Sequence, residues 1–348
     1  MSADSQTDDD ANRRLWARPG VYRVSEDVFR LPLPLPDAGL HAVNAYVLLD
    51  GSGPVVIDPG QATGDGWDVL AAGLHELGLK PGDVTRVLVT HIHRDHYTQS
   101  VVLRRRHGAR IALGEGEKGS LAIVGDPARD RMVTQLRLLR SSGAAGLVAE
   151  MAGADDGVDI DLWEEPDEWL PDWSEVALAS RPLTAIPTPG HTRGHLVFHD
   201  AAARLLFAGD HVLPAITPSI GFEPNPGALP LADYLRSLLL MREIDDCILL
   251  PAHGPVTGSV HDRVSELLEH HAIRLEATYL RLAPDVETAA QAAHRLPWTR
   301  RARSFDDLST FDRMLAVLET RAHLDVLVDR GRLVVHRDQA GVDRYAMT

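Results

Sequence analysis

The hexapeptide His91-Ile92-His93-Arg94-Asp95-His96 follows directly on the apolar run Val87 to Thr90. Three imidazoles and a carboxylate within six residues are costly to bury unless a metal ion takes up their lone pairs. In extended backbone, residues two apart point the same way, so His91 and His93 can close on one ion. The turn beyond them then aims Asp95 and His96 at a neighbouring ion. A solvated polar loop accounts for a single histidine, but not for His-x-His-x-Asp-His at the end of a buried strand. The stretch is therefore expected to be half of a two-metal site.

The rest of the chain must supply the other half from histidine and carboxylate. Its only cysteine, Cys247, rules out an internal disulfide framework and a Cys-rich zinc module. At 348 residues the chain can bury a full core, with one large domain and a smaller one expected. The first fifteen residues are acidic and polar without an apolar h-region, and no stretch approaches a membrane span. A cytoplasmic protein without membrane contact is the expectation. A formal charge of -15 repels phosphate backbones at long range and argues against nucleic acid as a general partner.

Residues 1–18 read as a disordered acidic tail. Val21 to Arg30, Ala42 to Leu49 and Pro54 to Ile57 read as successive strands, punctuated by Pro-Leu-Pro-Leu-Pro and Gly-Ser-Gly. Asp58, in Asp58-Pro59-Gly60, is either a turn residue or an acceptor that orients a ligand histidine. Helical spacing covers Trp67 to Leu77, Val84 to Thr90 is a short strand, and helix resumes over Thr98 to His107. Asp126 to Ala152 has a helical, Arg-bearing pattern. From Ser141 to Ser180 there is no Lys or Arg, while acids accumulate beside Trp163, Trp169 and Trp173. That excursion either covers the site's mouth or is an acidic surface pinned by tryptophans.

Three further strand exits each offer a metal-capable side chain. Leu183 to Ile186 leads into Thr188-Pro189-Gly190-His191-Thr192-Arg193-Gly194-His195, Leu205 to Ala208 into Gly209-Asp210-His211, and Cys247 to Leu250 into Pro251-Ala252-His253-Gly254-Pro255. Between them, Leu196 to His199 reads as a strand and Leu231 to Arg242 as an amphipathic helix.

Taken together, His91, His93, Asp95, His96, then Gly-His-Thr-x-Gly-His, Ala-Gly-Asp-His and Pro-Ala-His-Gly-Pro resemble the metallo-β-lactamase superfamily of hydrolases, in that family's order, over roughly Val21 to Val260. The resemblance implies an α/β fold, an αββα sandwich with the site along one edge, over residues 19–260. It also implies a ligand set: His91, His93 and His191 for one metal, Asp95, His96 and His253 for the second, and Asp210 bridging. His195 would stand behind the ligands. Two Asp ligands and no Cys look like the glyoxalase II, thioesterase and RNase branches rather than the β-lactamases that use Cys.

Beyond 260 the order is a long helix from His261 to Leu282, helix over Val286 to Leu296, helix near Phe311 to Val328, and a strand at Arg332 to His336. This resembles the winged-helix-like C-terminal extension of β-lactamase-like proteins that include single-strand RNA endonucleases, here assigned to 261–348. Its 13 Arg, no Lys and 14 acids leave it nearly neutral. That favours packing, homodimerisation or a pocket wall over a duplex-binding face.

Five neutral imidazoles and two carboxylates around two divalent ions leave a site of roughly +2, which attracts an oxyanion. Zn(II) suits these donors by default, and Fe or Mn would also be accepted because no thiolate selects among them. A hydroxide bridging the metals is the expected nucleophile, with Asp95 fixing its direction of attack. His195 or His211 are candidates to protonate the leaving group, a packed histidine being the plain alternative. A thioester (acyl-CoA, acyl-carrier or glutathione type) or related small ester is the expected substrate. The weighed alternatives are a single-stranded RNA phosphodiester, a lactone, and a non-catalytic metal-stabilised binding protein. Global acidity and few aromatics disfavour a polyanion, while the apolar, Pro- and Gly-rich Ile216 to Pro226 suits a small-molecule pocket; the patch Arg295, Arg300, Arg301, Arg303 stands against that reading.

Overall fold

Runs of β-branched and aliphatic residues bounded by turn residues become strands here, and in most of them both faces are buried. A computed structural model describes residues 14–36, 39–151, 159–282, 287–298 and 303–348. Tyr22–Arg23 (β1), Val28–Pro34 (β2), Ala42–Leu48 (β3), Val55–Ile57 (β4), Arg86–Val89 (β5), Arg110–Gly114 (β6) and Glu168–Leu170 (β7) lie side by side in that order. The pairings are antiparallel as far as β4 and parallel from β4 to β7. A second sheet holds Glu175–Ala177 (β8), Pro182–Pro187 (β9), Leu196–Asp200 (β10), Leu205–Gly209 (β11) and Ile248–Pro251 (β12), ordered β12-β11-β10-β9-β8.

The two sheets face each other across a core that includes Tyr46, Ile57, Leu88, Leu196, Phe198, Phe207 and Leu250. Each such side chain, fully buried, contributes about 1.5–3 kcal/mol relative to exposure. Gly64–Glu76 (α1), Arg94–His107 (α2) and Lys118–Val124 (α3) cover the outer face of the first sheet, with Leu70, Leu74, Tyr97 and Leu121 packed on Val56, Val87 and Ile111. Val133–Ser141 (α4) and Ala145–Met151 (α5) follow. Pro230–Leu240 (α6) and Val260–Arg281 (α7) cover the second sheet through Tyr234, Leu238, Val264 and Leu267. The layers are therefore α, β, β, α, as the resemblance implied.

The C-terminal portion continues with Ala289–Arg295 (α8), Thr310–Asp329 (α9) and the hairpin Leu333–Arg337 (β13) with Asp343–Met347 (β14). Helix, helix, helix, hairpin is the order expected. Its apolar side chains divide between two clusters. Ala322, Leu324, Leu327 and Tyr345 join the layer behind the second sheet, while Met314, Val317 and Leu318 pack with Leu136, Leu139 and Leu147 of α4 and α5.

Two expectations need correction, and one pair of alternatives is narrowed. Strand β2 runs through Pro32 and Pro34, residues that the sequence marks as punctuation. Because β1 pairs only with Phe29 and Arg30, residues 31–34 lie on an open edge where a missing N–H costs no ladder bond. Helix α2 begins at Arg94, not at Thr98, so Asp95 and His96 occupy its first turn. Of the two readings of the 141–180 excursion, an acidic surface pinned by tryptophan fits the stretch around Trp163 to Glu168. Trp163 stacks on Tyr97, Glu164 is ion-paired with Arg104 and Arg105, and Glu168 is ion-paired with Arg86, all on the outer layer of the first sheet. The tail, residues 152–158 and Arg300 and Arg301 of the basic patch lie partly or wholly outside the described residues.

Candidate metal centre

All the proposed ligands leave the ends of strands. His91 and His93 follow β5, Asp95 and His96 sit on the first turn of α2, His191 lies in the β9–β10 loop, Asp210 follows β11 and His253 follows β12. Gly209 makes one of these exits feasible. With φ of 50°, it lies where a Cβ would come within 2.6 Å of Thr90 Oγ1 and 2.7 Å of His195 Nε2, so only glycine lets Asp210 approach.

Seven side chains meet in two adjoining groups, His91, His93, His191 and Asp210 in one, and Asp95, His96 and His253 in the other. In the first, His91 Nε2 and His191 Nε2 lie 2.9 and 3.0 Å from His93 Nδ1. Asp210 turns one oxygen toward the first group, Oδ2 being 3.4 Å from His191 Nε2. Its other oxygen, Oδ1, lies 3.4 Å from His253 Nε2 and 3.7 Å from His96 Nε2. Asp95 Oδ2 completes the second group, 3.3 Å from His253 Nε2 and 3.6 Å from His96 Nε2. Asp210 thus stands between the groups as the bridging ligand would.

The fit to cations rests on atoms left without partners. His96 Nε2, His253 Nε2 and Asp210 Oδ1 are buried and have no hydrogen-bond partner among the described residues. Orphaned acceptors converging in this way are costly unless a cation fills the gap. The opposite ring nitrogens are each engaged, which fixes the tautomers. His253 Nδ1 donates to Ala42 O at 2.7 Å and His191 Nδ1 to Ser219 O at 2.8 Å.

Asp58 proves to be an orienting acceptor. Its Oδ2 takes His96 Nδ1 at 2.9 Å and the Thr90 hydroxyl at 2.7 Å, and its Oδ1 takes the Thr90 amide at 2.8 Å. Its φ of 50° is an unusual conformation for a residue other than glycine. His195 is fully buried, with Nδ1 2.8 Å from Thr188 Oγ1 and Nε2 3.2 Å from the Asp210 amide. Both of its ring nitrogens are engaged within the protein. His211, also buried, packs edge-on against Tyr234. Sequence reasoning missed Thr90, Ser219 and Ala42, the last two acting only through backbone carbonyls that leave no sequence signal.

Electrostatically the two groups differ. Burial, reinforced by neighbouring imidazoles, holds His91 and His93 well below the ordinary histidine range, and burial lowers His191 despite Asp210. Burial also opposes protonation of His96, yet Asp95, Asp58 and Asp210 together push it up to about 10. His253 is likewise raised, by Asp210 and Asp95 against burial. Asp95 is held well below the usual carboxylate range by His96 and His253, against burial.

A family model for the metallo-beta-lactamase superfamily matches residues 38–253. The chain belongs to that superfamily. Among relatives within it, the probable metallo-hydrolase YqjP of Bacillus subtilis is 24% identical over 338 residues, covering 87% of this chain and 93% of its own. The beta-lactamase-like protein 2 homolog of Caenorhabditis elegans is 25% identical over 235 residues, 68% of this chain and 63% of its own. Of solved structures, a metallo-beta-lactamase family protein from Thermus thermophilus superposes with a TM-score of 0.77 at 27% identity, over 94% of this chain and 100% of that one. A beta-lactamase domain protein from Burkholderia ambifaria gives 0.74 at 27% identity, over 94% and 95%. At that coverage the likeness extends beyond residues 38–253 into the C-terminal portion. As a member of this metallo-hydrolase superfamily, the protein carries a His and Asp cluster suited to divalent metal.

Proposed function

We propose that the protein is a two-metal hydrolase of a small thioester or a related ester. Two divalent ions held by the seven ligands would supply Lewis acidity and an acidified water. His91, His93 and His191 would hold the first, Asp95, His96 and His253 the second, and Asp210 both. Asp95, ionised and with its side chain only 14% exposed, is placed to accept a hydrogen bond from the attacking water and set its direction. His93 and Asp95 are half-buried while the other ligands are buried, so substrate enters over those two. We assign His195 to holding the Asp210 loop instead of protonating the leaving group, because both of its nitrogens are already engaged.

The substrate class is carried by how the C-terminal arginines are used. Of the eleven described arginines beyond residue 262, seven, Arg263, Arg295, Arg313, Arg321, Arg332, Arg337 and Arg344, are ion-paired with a carboxylate of the chain itself. Guanidinium groups so paired offer no continuous track to a phosphate backbone. Beside the site, the Ile216 to Pro226 loop places Phe222 5.9 Å from the His93 ring and 5.4 Å from Phe311 of α9, centroid to centroid. An aromatic wall over the entrance suits an acyl or thioalkyl group, and makes the C-terminal portion part of the pocket.

The test is turnover of acyl-CoA and acyl-glutathione thioesters, simple esters and a labelled single-stranded RNA by metal-loaded protein. Thioester or ester hydrolysis is the expected result. RNA cleavage with no turnover across the ester panel overturns the reading.

A further inference from the structure

Two carboxyls buried beneath the first group of ligands have no part in the chemistry above. Glu117, at the end of the turn after β6, and Glu223, in the Ile216 to Pro226 loop, are 0% and 1% exposed. Neither is neutralised by an ion pair among the described residues. What they hold instead is backbone on either side of the metal-binding histidines. Glu117 Oε1 accepts the Thr192 hydroxyl, one residue past His191, and the carboxyl faces the amide of Ile92, between His91 and His93, while its Oε2 is buried without a partner among the described residues. Glu223 accepts the Ser120 hydroxyl of α3 at 2.9 Å and faces the amide and the charge of Arg193, two residues past His191.

The packing around them leaves no slack. A Cβ on Gly194 would fall 2.2 Å from Glu117 N, and one on Gly116 would fall 2.7 Å from Gly194 Cα, so the two turns cross backbone to backbone. Gly119 of α3 faces the side chain of Asn225 in the Glu223 loop, where a Cβ would come within 2.2 Å of Asn225 Nδ2. That same loop contributes Ser219 O to His191 and Phe222 to His93.

We infer that Glu117 and Glu223 are positioning residues for the tri-histidine subsite, clamping the His91–His93 and His191 loops together and locking the Ile216 to Pro226 loop to them. The second subsite, oriented by Asp58 and Ala42 O, lies outside their reach. Burial raises both carboxyls, Glu223 raises Glu117 further, and the charge of Arg193 partly opposes the rise at Glu223. The inference rests on the two-metal reading of the site.

Metal titration of the full chain by calorimetry, with zinc as the probe and stoichiometry checked by elemental analysis, tests it. Wild type is expected to bind two equivalents; failure to do so defeats the two-metal reading itself. In Glu117→Ala the first subsite should weaken by about 10–100-fold, the usual effect of losing a group that orients a ligand, while the second keeps its affinity. Glu117→Gln, which retains the acceptor oxygen, should restore most of the loss. Thr192→Val deletes one clamp contact at constant volume and should weaken the same subsite in the same sense; it decides the matter if Glu117→Ala does not fold. Unchanged affinity at the first subsite, or equal weakening of both, overturns the inference.

Discussion

The two groups of ligands lie side by side with Asp210 between them, yet they are suited to cations for opposite physical reasons. The first is a cage of imidazoles already stripped of protons by burial, where shape decides and charge contributes little. The second is built on carboxylates that charge their own histidines, so in the absence of metal a proton on His96 stands in for the ion. One pocket therefore selects by geometry and the other by charge. A cluster that looks uniform in sequence, histidine after histidine, is divided by which of its members face aspartate.

The largest expected effect comes from breaking the division outright. His96→Ala should lose one equivalent of metal and nearly all hydrolysis, a fall on the order of 10³ or more if metal activation of water is removed, while the tri-histidine subsite still binds. Elemental analysis alongside turnover checks this; wild-type activity in the variant would dismiss the two-metal mechanism. A smaller effect follows from disturbing only the orientation of His96. Asp58→Asn takes a charge from behind its ring and should weaken the second subsite by about 10–100-fold, leaving the first unchanged in the same titration.

The mildest test changes no residue. His96, pushed up to about 10, must shed a proton on binding metal, and His253 is raised in the same direction, whereas burial lowers His91, His93 and His191. Because the raised pKa values lie on the second subsite alone, its affinity should rise by about tenfold per pH unit for each proton displaced from pH 6 to 8, and the first should stay flat. Proton release measured during zinc titration in buffers of different ionisation enthalpy distinguishes the two steps. Proton release that accompanies filling of the tri-histidine subsite, as identified by its retention in His96→Ala, would reverse the assignment.

Most of the ligand set was legible because His91, His93, Asp95 and His96 crowd into six residues after a short apolar strand, and His191, Asp210 and His253 each follow another such strand beside glycine or proline. Asp58 was legible as one of two options, and only its contact with His96 decided between them. The early start of α2 was hidden because Asp95 and His96 are chosen for metal and not for helix propensity, so the first turn reads as loop. Strands β7 and β8 are three residues each, too short for a period to register. Glu117 and Glu223 are two acids among many in a strongly acidic chain. Their meaning lies entirely in contacts made across 75 and 103 positions of the chain.

Helix α9 lies against α4 and α5 on one side and reaches Phe222 near the metals with Phe311 on the other. A graft that moved the 133–151 helices alone into a relative would leave an oily flank facing water, and a truncation before 310 would do the same in reverse. Changes of substrate preference in such chains should therefore travel as a matched set, insertion and C-terminus exchanged together, with the ligand loops left alone.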